Sequence, residues 1–186
     1  MIEASLRCML RSKQKKFNMQ VIGIDPGLTH TGWAVIQEDG PKIKYLGSGI
    51  CNTSNRYDMA TRLVSILEQL RLVIKKFKIE SGAIEKAFVK NDPLAALKLG
   101  QARASAMIAL GESKIEVSEY APNYVKKIFA GKGHATKEEI EKMALLQFPK
   151  VCFDRSDEAD ALAIAVCHIH TLKINANLNS AMKKAM

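Results

Sequence analysis

An α/β protein built on a mixed five-stranded sheet is the fold class that the sequence predicts, and two patterns indicate it. Three β-forming segments follow one another across residues 21–50 with only turns between them, and beyond residue 56 helix-length apolar stripes alternate with single short strands. Strands joined by turns pair antiparallel, whereas a strand reached through a helix becomes a parallel neighbour. We therefore expect a three-strand antiparallel meander plus two parallel strands, flanked by helices.

The composition bounds the size of the protein and the chemistry of its partner. With 186 residues the chain suits one domain with a sizeable core. Lys and Arg number 28 against 19 Asp and Glu, a formal net charge of +9 that favours nucleic acid first and an anionic membrane surface second. Part of the excess lies in residues 1–18, which we expect to form a basic, disordered extension before a domain over 19–172 and a frayed polar tail over 173–186.

The cysteines and the apolar runs indicate the compartment. The 4 Cys are far apart and lack CxxC spacing, which argues against a zinc site and favours reduced thiols in a cytoplasmic protein. No apolar run approaches the roughly 18 residues of a membrane span, and the N-terminus lacks the apolar centre of a secretory signal. The basic extension leaves an organelle-targeting peptide as an alternative.

Turn and alternation signals define the first three strands. Residues 21–25, Val-Ile-Gly-Ile-Asp, form a buried strand that ends at Asp25, because Pro-Gly turns the chain at once. Residues 32–36 and 42–50 form the second and third strands, with the turn sequence Glu-Asp-Gly-Pro between them. Taken alone, Asp25 is equally an ordinary turn residue.

The next segment is a helix followed by a second strand that ends in an acid. From Arg56 onward the apolar residues fall on one helical stripe, so this helix packs on the sheet. Residues 81–85 then form a short strand ending at Glu85. Because a helix connects the two, this strand lies parallel to the first one, and Asp25 and Glu85 emerge at the same edge.

A helix over residues 93–110 is dense in Ala and Gly, and a strand over 114–119 follows it. Small side chains let another helix or a sheet approach closely. The helix is therefore either a core helix or a subunit interface, and we favour the core helix on these residues alone.

Two lysines stand on the helices that come next. A short helix ending at Gly131 carries Lys126. Thr136 and Glu139 have the spacing of a capping box, so Lys137 lies in the first turn of the following helix, where it could meet a phosphate. A solvated surface charge is the alternative for each lysine.

The last helix supplies two further acids. Asp157 and Asp160 are three residues apart and project from one face of its start, and the apolar run through Cys167 buries the helix against the sheet. The helix dipole alone explains acids at this position. Four carboxylates at one edge, however, repel one another unless divalent cations neutralise them, so the hypothesis is a paired Mg²⁺ site for phosphodiester chemistry.

Several short motifs, unspecific singly, form a specific set when taken in order. They are Gly23-Ile-Asp-Pro-Gly27, Ile84-Glu-Lys-Ala-Phe88, Ala96-Leu-Lys-Leu-Gly-Gln-Ala-Arg103, Tyr120-Ala-Pro122, Val125-Lys126, Gly131-Lys-Gly133, Lys137 and Asp157-Glu-Ala-Asp-Ala-Leu-Ala163. In this order they resemble the RuvC family of Holliday-junction resolvases, within the ribonuclease H-like nuclease superfamily. The resemblance covers residues 20–172 and leaves 1–18 without a counterpart.

The resemblance implies a role for each candidate residue. The metal-binding catalytic acids would be Asp25, Glu85, Asp157 and Asp160. Lys126 and Lys137 would meet the DNA near the scissile phosphate, and Phe88 would stack on bases at the junction. The helix over 93–110 would be the dimer contact, which reverses the preference for a core helix.

The resemblance also implies an activity and partners. The expected reaction is Mg²⁺-dependent hydrolysis, with two metal ions per subunit and Mn²⁺ as a substitute, in DNA recombination and repair. Paired symmetric nicks in four-way junction DNA would leave 5′-phosphate and 3′-hydroxyl ends. A homodimer is the expected assembly, with the RuvA-RuvB branch-migration complex as its partner.

The same sequence features have three alternative interpretations. Gly-Ile-Asp-x-Gly also opens the ATP-binding fold of actin, chaperone ATPases and sugar kinases, but that fold needs a longer chain and has no use for the pair Asp157 and Asp160. A related nuclease that acts on RNA and a junction-binding protein without cleavage remain alternatives. Cleavage assays on a mobile junction, a linear duplex and structured RNA separate them.

Overall fold

A mixed five-stranded sheet covered by helices on both faces is the architecture of the computed structural model, which describes residues 19–86 and 92–185. The strands are β1 (Gln20–Asp25), β2 (His30–Asp39), β3 (Lys42–Asn52), β4 (Ile79–Glu85) and β5 (Glu116–Tyr120). The helices are α1 (Met59–Lys76), α2 (Pro93–Glu112), α3 (Pro122–Ala130), α4 (Lys137–Gln147) and α5 (Ser156–Ala185). The predicted fold class and order of elements are confirmed.

The strand order β3-β2-β1-β4-β5 places β1 at the centre of the sheet. The pairs β1/β2 and β2/β3 are antiparallel, and the pairs β1/β4 and β4/β5 are parallel. Ile24 of β1 pairs with Ile84 of β4. The next residue of each strand is an acid, so Asp25 and Glu85 leave the sheet side by side, as the crossover rule predicts.

The two faces of the sheet bury separate hydrophobic cores. Val21 of β1 packs in the core that α3, α4 and α5 share with the sheet. Its neighbour Ile22 points to the opposite face, into the core formed with α1 and α2. This alternation along a central strand is why β1 reads as an almost continuous apolar run.

Glycines let α5 lie directly on the backbone of the sheet. A Cβ added at Gly23 would stand 2.2 Å from the carbonyl oxygen of Ala161. One added at Gly32 would stand 2.1 Å from the carbonyl oxygen of Asp157. In both cases the clashing atom belongs to the backbone of α5, which cannot move aside as a flexible side chain can. The two glycines therefore determine how closely the acid-bearing end of α5 approaches β1 and β2.

A buried histidine holds the middle of α5. The ring of His168 contacts the Ser81 hydroxyl through Nε2 and the Tyr120 hydroxyl through Nδ1, each at 2.7 Å. Burial lowers the pKa of His168 to about 4, so the ring is neutral at pH 7. It therefore bridges α5 to β4 and β5 as one hydrogen-bond donor and one acceptor.

The capping and turn residues of the sequence correctly predicted where α3 ends and where α4 begins. The capping box is confirmed, since Thr136 Oγ1 accepts from the Glu139 amide while the Glu139 carboxylate accepts from the Thr136 amide. Gly131 ends α3 in the left-handed region with φ of 79°. The last strand begins at Glu116 rather than 114, because Lys114 has φ of 57° and interrupts the extended chain.

The prediction of a frayed tail over 173–186 is wrong, because α5 continues to Ala185. The segment contains neither Gly nor Pro, and extending an existing helix costs little once its first turns are held by the core. The predicted basic extension over 1–18 lies outside the described residues. Within the described part of the chain, no helix is both long and apolar enough to cross a membrane.

The small residues of α2 are divided between two faces. Ala102, Ala106 and Ala109 are buried in the core beneath the sheet, so part of the stripe is core packing, as the residues alone favoured. Leu97 and Ile108 are 59% and 50% exposed on the other side of the helix. If α2 contacts another subunit, it is this exposed outer face that is available for the contact.

Candidate active site

Four acidic side chains reach one edge of the sheet from two directions. Asp25 is the last residue of β1 and Glu85 the last residue of β4. Asp157 and Asp160 lie at the start of α5, which packs closely on β2 because residue 32 is a glycine. Every one of the four is half-buried. The structure thus brings together all the acids that the sequence analysis selected, and their role as catalytic metal ligands remains a prediction.

Asp25 is the centre of this electrostatic cluster. Burial raises the pKa of Asp25 well above its usual range, and the neighbouring charges of Glu85, Asp160 and Asp157 raise it further. The positive charge of Lys137 acts in the opposite direction. The protein therefore compensates the ionised form of Asp25 only in part, a condition that a bound cation relieves.

Glu85 and Asp160 show the same imbalance. Burial, followed by the charge of Asp160, raises the pKa of Glu85 to about 7, although Lys126 and Lys137 partly oppose this rise. Burial also raises the pKa of Asp160, with Lys137 again opposing the shift. Carboxylates that raise one another's pKa in this way are typical of sites that bind divalent cations or share protons.

Lys137 stands between the acids of α5. Its Nζ lies 3.7 Å from Asp157 Oδ1 and 3.5 Å from Asp160 Oδ2, and its side chain is 58% exposed. Burial alone would lower the pKa of Lys137, but the charges of Asp160, Asp157 and Asp25 raise it overall. The predicted position in the first turn of α4 is confirmed, and the ammonium faces both the acids and solvent.

Lys126 approaches the cluster from α3. Its Nζ donates to the carbonyl oxygen of Ala135 at 2.8 Å, which holds the side chain beneath the loop before α4. Its charge acts on both Glu85 and Asp160. The structure therefore places both predicted lysines beside the acids, whereas the predicted base-stacking residue Phe88 lies outside the described residues.

Two arginines that the sequence analysis did not assign also support the acids. Arg103 of α2 donates from Nε to the carbonyl oxygen of Glu85 at 3.2 Å and pairs through Nη2 with Glu119. Arg155 Nε lies 3.2 Å from Asp157 Oδ2. A cation on the partly buried side of the apolar helix α2 was the available signal for Arg103. No spacing rule links it to a strand 18 residues earlier.

The donor set fits a divalent cation chemically. Carboxylate oxygens are the hard ligands that Mg²⁺ takes in proteins, and the surroundings of these carboxylates compensate their charge only in part. In the parts of the chain that the structure describes, no three acidic, His or Cys side chains yet stand close enough to ligate one ion together. The ammonium of Lys137 lies beside two of these carboxylates, those of Asp157 and Asp160.

Fold and site together define a class. A meander followed by two parallel strands, flanked by helices, is the ribonuclease H-like fold, and in this chain acids stand at the ends of β1 and β4 and on the final helix. The yeast mitochondrial Holliday junction resolvase shares this fold with a TM-score of 0.60 at 13% identity, covering 89% of this chain and 83% of its own.

The particular family follows from closer relatives. The profile of the family described as crossover junction endodeoxyribonuclease RuvC matches residues 21–168. The Cereibacter sphaeroides protein of that name is 44% identical over 167 residues, which are 90% of this chain and 99% of the relative. A structure titled Thermus thermophilus RuvC in complex with Holliday junction substrate has a TM-score of 0.78 at 34% identity, covering 84% and 96% of the two chains. The chain belongs to the RuvC family of crossover junction endodeoxyribonucleases.

Proposed function

We propose that this protein resolves Holliday junctions by Mg²⁺-dependent hydrolysis, as a structure-selective endonuclease of recombination and repair. The observation that carries the proposal is Asp25, a carboxylate whose pKa is raised by burial and then by three neighbouring acids, on a protein with a net charge of +9. Two lysines beside those acids supply cationic groups for a phosphate. Membership of the family and the junction-bound Thermus relative support the choice of substrate.

The residues of the chain divide the chemistry between them. Two Mg²⁺ ions, or Mn²⁺, held by the four acids would supply an activated water and stabilise the leaving 3′ oxygen, so that the nick carries a 5′-phosphate. Lys126 and Lys137 neutralise the phosphate as it approaches carboxylates that would repel it. Arg103 holds the backbone of Glu85, so this acid is oriented by α2.

The cleavage test compares substrates. Purified protein with Mg²⁺ is expected to make two symmetric nicks in a mobile four-way junction and to leave a linear duplex and structured RNA intact. Cleavage of the RNA alone would favour the related ribonuclease, and tight junction binding without any nick would favour a non-cleaving binder. Stimulation by the RuvA-RuvB branch-migration complex belongs to the same proposal and is measured by adding that complex.

Paired nicks require two active sites, and the outer face of α2 is the surface we propose for the homodimer. Leu97, Gly100, Ala104 and Ile108 are exposed there at helical spacing. An added Cβ at Gly100 would meet nothing within 4 Å in the chain itself. A two-fold contact between small residues would bring two helices close together and match the two-fold symmetry of the junction.

Ala104→Arg is therefore expected to convert the dimer to a monomer at micromolar concentration, because each subunit would bury an unpaired guanidinium at the axis of the contact. Sedimentation velocity measures the mass, and a supercoiled cruciform distinguishes paired from single nicks. Asn177→Arg on the exposed part of α5 is the matched control and should stay dimeric. A dimeric Ala104→Arg protein would exclude this face.

Lys137→Ala is expected to weaken junction binding roughly tenfold and to reduce the slope of log K against log salt by about 1, since one phosphate contact is lost. Fluorescence anisotropy across a salt series measures both quantities. Lys142→Ala removes an exposed lysine from the same helix and serves as the control. An unchanged slope together with unchanged cleavage would leave Lys137 as a solvated charge.

A further inference from the structure

A third carboxylate lies between the two acids of α5, and the chemistry described above leaves it unused. Glu158 is 4% exposed, whereas the side chains of Asp157 and Asp160 are 19% and 21% exposed. Successive helical residues point about 100° apart, so Glu158 faces away from the acidic edge and toward the sheet. A buried ionisable side chain at this position needs partners that satisfy it.

The carboxylate of Glu158 joins two separate elements. Its Oε1 accepts from the backbone amides of Asp154 at 2.9 Å and Arg155 at 3.3 Å, which closes the N-terminus of α5. Its Oε2 accepts from the hydroxyl of Ser48 on β3 at 2.5 Å. Ser48 in turn accepts from the hydroxyl of Tyr45 at 2.8 Å, so the link is anchored within the strand.

This link complements the glycine contact at the same helix end. Gly32 determines how close the backbone of Asp157 comes to β2, but a glycine contact does not resist rotation of the helix about its own axis. The bond from Glu158 to Ser48, lateral to that contact, does resist it. Asp157 and Asp160 project from one face of this helix end. Rotation of the helix would therefore move both side chains relative to Asp25 and Glu85, which belong to the sheet.

We propose that Glu158 is a positioning residue, which clamps the first turn of α5 onto β3 and thereby sets where Asp157 and Asp160 stand relative to the strand acids. The inference rests on the proposed function only in taking those acids as metal ligands. Glu158 itself contacts neither substrate nor metal in this assignment. Removing it leaves two backbone amides and one hydroxyl without their acceptor.

Two substitutions of Glu158 distinguish the effect of its hydrogen bonds from the effect of its negative charge. Glu158→Gln keeps an oxygen for the amides of Asp154 and Arg155 and presents an NH₂ group that donates to Ser48, so the clamp survives without the negative charge. Glu158→Ala removes every one of these bonds. Ser48→Ala removes the link from Glu158 to β3, together with the Tyr45 bond, and leaves the two backbone amides their acceptor. Glu68→Ala takes an exposed acid from α1 as a control.

The first readout is Mn²⁺ binding to the DNA-free protein. The electron paramagnetic resonance signal of free Mn²⁺ measures it, at a temperature where every variant is folded. We expect Glu158→Ala to weaken binding roughly tenfold, as is usual when a residue that orients metal ligands is lost. Ser48→Ala should show a smaller loss, and both Glu158→Gln and Glu68→Ala should bind within about threefold of the parent, since orientation is kept. Unchanged binding by folded Glu158→Ala, or equal losses in the Gln and Ala variants, would overturn the clamp.

The second readout needs no metal and separates this inference from the proposed function. Amide hydrogen exchange over residues 156–160 is expected to be roughly tenfold faster in Glu158→Ala and unchanged in Glu158→Gln, because the local opening energy falls with the lost bonds. If the parent protein binds no Mn²⁺, the metal site is wrong and exchange alone decides the clamp. Equal exchange in all variants would reject it.

Discussion

Asp25→Asn is expected to lower the rate of Mg²⁺-dependent junction cleavage by roughly a thousandfold or more while junction binding stays within about threefold, since several kcal/mol of stabilisation by the metal is lost. Asn keeps the shape of the side chain at the end of β1 but removes the charge that a cation requires. The lysines and the rest of the basic surface are untouched, so affinity for the junction remains.

A second consequence of the same substitution concerns stability. The folded-state pKa of Asp25 is raised above its unfolded value, so ionisation costs the metal-free fold stability once the pH exceeds the unfolded value. Asn cannot ionise. The metal-free variant should therefore unfold at a higher temperature than the parent at pH 8, and the difference should shrink as the pH falls and Asp25 becomes protonated in the parent.

Single-turnover cleavage of a labelled junction, with binding measured in Ca²⁺, tests the first part. Asp154→Asn is the matched control, since it changes an exposed acid just before α5 and should cut like the parent. Persistent Mg²⁺-dependent nicking by Asp25→Asn would reject the metal-site assignment. Loss of junction binding as well would contradict the separation of binding from chemistry.

Gly23→Ala is expected to lower the free energy of unfolding by about 3 kcal/mol or more, beyond the usual range for one added methyl group in a core. The new Cβ would stand 2.2 Å from the carbonyl oxygen of Ala161 and 2.5 Å from the amide nitrogen of Ala165. Both are backbone atoms of α5, so the helix must move off the central strand or the strand must bend. Either response also displaces the acids.

Urea unfolding followed by circular dichroism measures this loss. Gly111→Ala is the control, because it lies inside α2 with nothing within 4 Å of the added Cβ. It should be neutral or up to about 1 kcal/mol more stable, since Ala is the better helix former. A Gly23→Ala protein as stable as the parent would mean that α5 does not pack on β1 as closely as the structure has it.

Local chemistry made much of the fold predictable. The apolar run before Asp25 has the composition of a central strand, the Thr136 and Glu139 pair starts α4, and Gly131 ends α3. The parallel placement of β4 followed from its helical connection, and with it the meeting of Asp25 and Glu85. Each of these features depends on residues close in sequence or on a general rule of chain connection.

Other features were missed because their causes are distant in sequence. The helical course of residues 173–185 depends on α5 being nucleated in the core, not on the polar segment itself. Arg103 reaches the backbone of Glu85 across a helix-to-sheet contact. From sequence alone Glu158 had no assigned role, because its carboxylate reaches Ser48 on β3, 110 residues away in the chain.

The sequence by itself determined the order of strands and helices, the acids at the strand ends and the family to which their motifs belong, because turns, periodicity and motif order are local properties. Only the tertiary structure decided how those acids interact. The raised pKa of Asp25, the ammonium of Lys137 between Asp157 and Asp160, and the link from Glu158 to Ser48 depend on burial and on ångström distances. Such distances arise when α5 closes on the glycines of β1 and β2, a contact between segments more than 100 residues apart that no local pattern encodes.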